Sequence, residues 1–176
     1  LELPQETLIS TMKKHQKYLP IYDKSTGKLK NYFIAVSNMT DKFISNIRAG
    51  NERVITARFE DAKFYYYDDL NKPIDFFNNK LKNITYIDGL GSIYDKTLRM
   101  HKLTELLATL LQTDEPTKNI ALTAAQISKF DLATGMVYEF PQLQGFIGRH
   151  YAEKKQLPQT VADIIYEHYL PAGNLN

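Results

Sequence analysis

Two carboxylates, Asp131 and Glu139, fall on what the spacing makes neighbouring helical turns. That placement would suit acid/base work if the surroundings set their proton affinities apart, and otherwise each is a helix cap or an ion-pair partner. The histidines His15, His101, His150 and His168 are the other candidates for proton transfer or metal ligation. None stands in a His-x-x-x-His or His-Asp pairing. His101 is placed to face inward and His150 follows Arg149, and lone histidines of this kind are structural or solvated. No serine sits in a Gly-x-Ser-x-Gly elbow. The chain has no cysteine, which removes thiol nucleophiles, disulfides and zinc ribbons together, so any metal site would need His and carboxylates. Gly89-Leu-Gly91 precedes a helical stretch but lacks the third glycine and the Lys-Ser/Thr pair that cradle a phosphate; it reads as a turn and helix entry. The expectation is a chain with no catalytic residue, no metal site and no cofactor of its own.

Charge is more informative. The net charge of +2 hides an asymmetry: between Leu8 and Arg58 there are ten Lys or Arg against three acids. Such a local excess suits a polyanion, or else forms a solvated face. The run Phe64-Tyr-Tyr-Tyr67, downstream of Arg53 and Arg58, offers rings on which single-stranded bases stack, or rings for a core.

These groups must be held by a mixed scaffold. Leu8, Ile9 and Met12 recur at helical spacing behind Pro4, a residue suited to a first helical turn, so a short helix is expected from Pro4 to His15. Tyr18 to Tyr22 and Asn31 to Ser37, rich in aromatic and β-branched residues around a polar Asp23–Lys28 connection, read as a hairpin. Ile44, Ile47, Val54, Ile55, Phe59, Ala62 and Phe64 are spaced for helices, with Gly50 as a break or cap. From about Asn71 the strand signal fades and the chain becomes all-α. Ile93, Leu98, Leu103, Leu106, Leu107, Leu110 and Leu111 form a wide apolar stripe from Ser92 to Gln112. Further helices are expected over Lys118–Leu132, Pro141–Lys154 and Pro158–Tyr169, joined by turns at Asp114–Thr117 and Lys154–Pro158. The fold class is therefore α+β and helix-rich: a mixed α/β basic region over 1–70, then a helical domain over 71–176. No flexible tether separates them, so the two parts are expected to pack together.

With 176 residues, 43% of them hydrophobic, the chain can bury one sizeable core or two small ones. No apolar run approaches the roughly 18 residues of a membrane span, nor does the start carry the apolar core of a signal peptide, so a cytoplasmic location is expected. The opening on Leu1 and the close at Pro171-Ala-Gly-Asn-Leu-Asn176 read as those of an excised, C-terminally truncated piece.

Several strings, in order, carry a family resemblance. Leu3-Pro-Gln-Glu-Thr-Leu-Ile-Ser-Thr-Met12, His15-Gln-Lys-Tyr-Leu-Pro-Ile-Tyr-Asp23 and Tyr32-Phe-Ile-Ala-Val-Ser-Asn38 open the series. Gly50-Asn-Glu-Arg-Val54, Ala57-Arg-Phe-Glu-Asp-Ala-Lys-Phe-Tyr65 and Gly91-Ser-Ile-Tyr-Asp-Lys96 continue it. Met136-Val-Tyr-Glu-Phe-Pro-Gln-Leu-Gln-Gly145, Gly148-Arg-His-Tyr-Ala152 and Glu167-His-Tyr-Leu-Pro171 close it. Together they cover nearly the whole chain, which resembles the β subunit of bacterial glycyl-tRNA synthetase.

The resemblance implies an internal region of a class II aminoacyl-tRNA synthetase. A separate α subunit would carry the ATP, magnesium and glycine site in an α2β2 assembly, and the β subunit would handle the tRNA. This region would be inactive alone and would act through tRNA positioning or subunit assembly. The helical part resembles an HD-type domain, whose phosphohydrolase relatives bind metal through a His-Asp pair. Here the corresponding dipeptide is Phe130-Asp131, and phenylalanine cannot ligate a cation. The domain therefore reads as a degenerate HD scaffold. Candidates for contacts to the RNA backbone are Lys13, Lys14, Arg48, Arg53 and Arg58, with Arg149 on the helical part. The competing readings are an HD-type metal-dependent phosphohydrolase and a purely structural subunit-interface module.

Overall fold

The structure, a computed structural model, describes residues 3–171, without the side chains of His15 and Asp41. The chain divides into two compact units, Leu1–Tyr67 and Asp68–Asn176.

The first unit is built on a hairpin. Strand β1 (Leu19–Tyr22) pairs antiparallel with β2 (Leu29–Ile34), with Leu19 opposite Ile34 and Tyr22 opposite Leu29. The connecting turn forms because the Asp23 carboxylate accepts the N–H groups of Ser25 and Thr26, each at 3.0 Å, and Gly27 supplies the left-handed conformation at φ +66°. The Ser25 hydroxyl, donating at 2.6 Å, then the Thr26 N–H, Lys30 at 3.2 Å and the Ser25 N–H hold the Asp23 carboxyl well below the usual carboxylate range. Helix α1 (Gln5–Ser10) runs into a π-helical turn, Thr11–His15. It is tied to the hairpin where Leu29 N–H donates to Gln5 Oε1 at 3.1 Å. The Tyr18 ring stacks on Phe33 at 4.6 Å, and its hydroxyl donates to Asn51 Oδ1 at 2.9 Å. Leu3, Leu8, Met12, Tyr18 and Ile55 are buried.

Helix α2 (Ile44–Leu70) is continuous, so Gly50 neither breaks nor caps it. Ile44, Ile47, Asn51, Ile55, Phe59, Ala62, Tyr66 and Asp69 recur every three or four residues, and this uninterrupted stripe carries the helix through the glycine. The boundary between the two units falls inside this helix, between Tyr67 and Asp68.

Among the described residues the second unit is helical except for one short strand pair. Helix α3 (Ile74–Lys80) starts behind Pro73. Strands β3 (Thr85–Ile87) and β4 (Gly91–Ser92) then form an antiparallel pair where an all-α segment was expected. Gly89 and Gly91, at φ +77° and +81°, permit the reversal, and three residues are too few for a period-two signal. Helix α4 (Ile93–Leu110) begins in a capping box: Ser92 Oγ accepts the N–H of Asp95, and the Asp95 carboxylate accepts the N–H of Ser92. Helix α5 (Glu115–Ile127) starts earlier than its periodicity indicated. Asp114 caps it through Thr117 N–H, and Pro116 lies in its first turn rather than in a connection.

A 3-10 turn (Phe130–Ala133), the short helix α6 (Gly135–Glu139), a second 3-10 turn (Pro141–Leu143), α7 (Phe146–Lys154) and α8 (Gln159–Glu167) complete the unit. Helix α4 packs along α5, and α8 packs along both α5 and α7. Phe77, Leu81, Phe130, Met136, Phe140, Ile147, Tyr151, Val161 and Ile165 are essentially inaccessible. Much of the α4 stripe is not: Leu103, Leu106, Leu107, Leu110 and Leu111 are exposed, the last by 76%. Among the described residues no helix is long and apolar enough to cross a membrane.

Candidate nucleic-acid interface and the Asp131 cluster

Lys13 and Lys14 lie exposed on the π-helical turn, and Arg48 and Arg53 lie exposed on α2; Arg58 is partly covered. At about 100° per residue, each step of five between these arginines turns about 140° around the helix, so Arg48 and Arg58 fall on roughly the same side and Arg53 does not. Arg48 lines a groove of about 920 Å³ in the first unit, with Leu8, Met12, Phe33, Asn51 and Ile55 among its walls. Among the described residues Lys13, Lys14, Arg48 and Arg53 form no ion pair.

Arg149 is differently placed. Its Nε lies 3.0 Å from Glu153 and its Nη2 2.9 Å from Asp163, and Gln159 donates to both carboxylates. This closed network joins α7 to α8, and Gln159 and Arg149 hold Glu153 below its ordinary range. The aromatic run divides as helical geometry requires: Tyr66 is buried, whereas Phe64 and Tyr67 are exposed.

Asp131 is fully buried in the 3-10 turn. Its Oδ2 accepts the N–H of Gly145 at 2.6 Å, and its Oδ1 accepts the Tyr169 hydroxyl at 3.3 Å. Burial pushes its carboxyl up to about 6, with the Gly145 N–H, Lys129 and the Tyr169 hydroxyl pulling the other way. Two glycines make the site. Gly145 holds φ +80°, and a Cβ there would meet Tyr169 at 2.7 Å; a Cβ on Gly148 would meet Ile165 at 2.8 Å and Asp131 at 3.1 Å. Phe130 points into the core, its ring 6.3 Å from that of Phe77. An aromatic ring so placed has no lone pair for a cation.

Lys129 and His168 adjoin this acid. The Lys129 Nζ sits 3.7 Å from the Tyr169 ring centroid, and the His168 and Tyr169 rings are 3.9 Å apart. Burial, then the charge of Lys96, pull Lys129 down to about 8; burial, then Lys129, pull His168 down to about 4. His150 stacks on Phe146 at 6.3 Å, His101 is half-buried on α4, and the His15 side chain lies outside the described residues. Among the described residues no three His, Asp or Glu converge as a metal set. Glu139 is only partly exposed and Asp131 is sealed, so the two do not share a solvent-reachable cleft for acid/base work.

Sequence reasoning missed Asp69. Its Oδ1 accepts Gly135 N–H at 2.9 Å, and its Oδ2 accepts Met136 N–H at 2.9 Å and the Tyr151 hydroxyl at 3.2 Å. Two of the orphan donors at the start of α6 are thereby satisfied from a helix 66 residues earlier. The signal was an acid continuing the apolar stripe of α2. The burial of Lys129 and the charge of Lys96 that reaches it left no trace in the sequence, because 33 residues separate the two.

The family model described as Glycyl-tRNA synthetase beta subunit matches residues 1–176. The chain is similar to the glycine-tRNA ligase beta subunit of Bacillus subtilis, 46% identical over 171 residues, covering 97% of this chain and 25% of the relative. The beta subunit of Thermodesulfovibrio yellowstonii is 49% identical over 173 residues (98% and 25%), and that of Clostridioides difficile 45% over 178 (99% and 25%). The chain thus spans about a quarter of the length of the curated relatives it matches.

Proposed function

The chain belongs to the glycyl-tRNA synthetase beta subunit family, and from that membership we propose that it supports the joining of glycine to its tRNA by positioning the RNA. The observation that carries this reading is the match along the whole chain, with exposed and unpaired Lys13, Lys14, Arg48 and Arg53 in the first unit as the residues able to meet phosphates. In this reading ATP, magnesium and glycine react on a separate α subunit of an α2β2, class II enzyme, and this region forms no glycyl adenylate alone. Arg149 contributes to stability before it contributes to RNA, since its guanidinium is already held by Glu153 and Asp163.

The test is fluorescence anisotropy of the chain with labelled glycine tRNA and with an unrelated tRNA across a salt titration. Binding that weakens steeply with salt is expected, because each neutralised phosphate releases counterions. No binding at low salt overturns the reading.

The exposed leucines of α4 favour a second role in assembly. Leu103, Leu106, Leu107, Leu110 and Leu111 present a contiguous apolar surface of the kind that marks protein interfaces. Replacing Leu106 and Leu107 by Lys should then abolish co-elution with the α subunit while leaving the thermal midpoint of the chain unchanged. Retained co-elution would remove α4 from that role.

A further inference from the structure

The hairpin of the first unit leaves one edge of β2 open onto the groove that Arg48 lines. Lys28 C=O accepts the Asp23 N–H at 2.8 Å and so faces β1, and the Leu29 N–H of the same trans peptide faces the other way, where Gln5 Oε1 accepts it at 3.1 Å. Peptides alternate in direction along an extended strand, so the N–H and C=O of Asn31 and Phe33 face that outer edge as well. Pro20, opposite Phe33, agrees with this, since proline has no N–H and pairs where the ladder needs none. Beyond the hairpin, no described residue bonds the backbone of Asn31 or Phe33. Consecutive residues, Leu29 to Phe33, border the groove, as they must where it follows the edge of a strand rather than one face. The facing wall is one side of α2, with Ile44, Ile47, Ile55 and Phe59. From Leu29 to Ile34 the strand runs about 17 Å, and from Ile44 to Ile55 the helix runs about the same. Two walls of equal length, one of unpaired peptide groups and one of apolar side chains, fit a single extended chain.

We propose that this groove receives an extended segment of the β-subunit polypeptide from outside these 176 residues, which pairs with the free edge of β2 as a third strand. The occupant follows from length: the chain spans about a quarter of its curated relatives, so about three-quarters of a β subunit lies outside it. A two-stranded hairpin is marginal by itself, and Leu19, Tyr32 and Ile34 on this one are exposed, so a third strand adds both hydrogen bonds and apolar cover. A segment of the same polypeptide arrives at high effective concentration, without the entropy cost of bringing two molecules together. A second copy of the chain fits less well, because its β2 comes joined to β1 and the gap before α2 would have to admit both strands. The segment is apolar at alternate positions, those that turn toward Ile44, Ile47 and Ile55. The proposal rests on the family membership and not on RNA contact, so loss of tRNA binding leaves it standing.

The experiment is amide hydrogen exchange resolved to single residues by mass spectrometry. It compares the 176-residue chain at low and high concentration with a full-length β subunit that carries these residues, alone and with the α subunit. In the 176-residue chain the amides of Asn31 and Phe33 should exchange faster than that of Ile34, which faces β1. In the full-length β subunit alone, Asn31 and Phe33 should slow by about a hundredfold and match Ile34. Loss of this alternation separates strand pairing from a general gain in stability, which would slow all three together. Ile44→Lys, at an exposed position of the groove wall, should quicken Asn31 and Phe33 in the full-length β subunit and leave their exchange in the 176-residue chain unchanged. Protection indifferent to that substitution would overturn the groove as the segment's seat. Protection that appears only with the α subunit, or only on concentrating the 176-residue chain, would assign the edge to that partner or to a second copy and overturn the proposal. Fast exchange at Asn31 and Phe33 in every sample would overturn it outright.

Discussion

Tyr151 donates its hydroxyl to Oδ2 of Asp69 at 3.2 Å, across 82 residues of sequence. The same carboxylate receives the first two backbone donors of α6. One acid at the end of α2 therefore fixes the start of one helix and the orientation of another.

Asp69→Ala should leave Gly135 N–H, Met136 N–H and the Tyr151 hydroxyl short of an acceptor in a buried place. A loss of about 2–4 kcal/mol is expected in urea denaturation. Asp69→Asn keeps one acceptor oxygen and should lose less. Equal stability of the alanine variant and the parent would show that water replaces the carboxylate.

Asp131 and His168 should oppose each other in acid. Burial raises Asp131 from 3.8 to about 6, so the folded state binds more protons than the unfolded state between those values, and its contribution falls as pH rises through that window. His168 is lowered from 6.5 to about 4, so the folded state binds fewer protons there, and its contribution rises with pH. Near-cancellation leaves the parent almost flat from about pH 4 to 6 on this linkage. Asp131→Asn should then gain stability as pH rises through the window, and His168→Gln should lose it. Parallel pH profiles for the two variants would contradict this assignment.

Gly148→Ala tests the packing over Asp131. The new methyl would stand 2.8 Å from Ile165 and 3.1 Å from Asp131, so the clash should outweigh the helical preference for alanine and cost about 1–3 kcal/mol in thermal denaturation. Gly145→Ala adds strain at φ +80° to its clash with Tyr169. Gly50→Ala is the contrasting case: nothing lies within 4 Å of the added methyl, so α2 should gain about 0.5–1 kcal/mol. A destabilised Gly50→Ala would mean that this surface is covered.

Lys13→Glu with Arg53→Glu should weaken binding to glycine tRNA and to an unrelated tRNA alike, and should lower the salt slope by about one to two units. Anisotropy titrations with an unchanged slope would place the RNA elsewhere.

Much of this was legible in the residues themselves. The hairpin around Asp23 and Gly27 and the helix entry at Ser92 depend on local chemistry, where a side chain meets backbone only a few residues away. The helical stretches follow from apolar spacing, which is likewise local. The ordered strings that carry the family resemblance needed no structure. Gly50 was misread because glycine preference is weak beside a stripe that recurs every three or four residues on both sides of it, and Thr85–Ile87 was missed because so short a strand has no period.

Tertiary structure alone decided the rest. Burial and distance across many residues set the proton affinities of Asp131, Lys129 and His168, and no local pattern contains either quantity. The closure of Arg149 onto Asp163 and the reach of Asp69 to α6 join separate elements. The leucine stripe of α4 shows the same division. Its spacing dictated an amphipathic helix, but which face the neighbouring helix covers depends on how α5 packs, and that packing leaves Leu106, Leu107 and Leu110 in solvent.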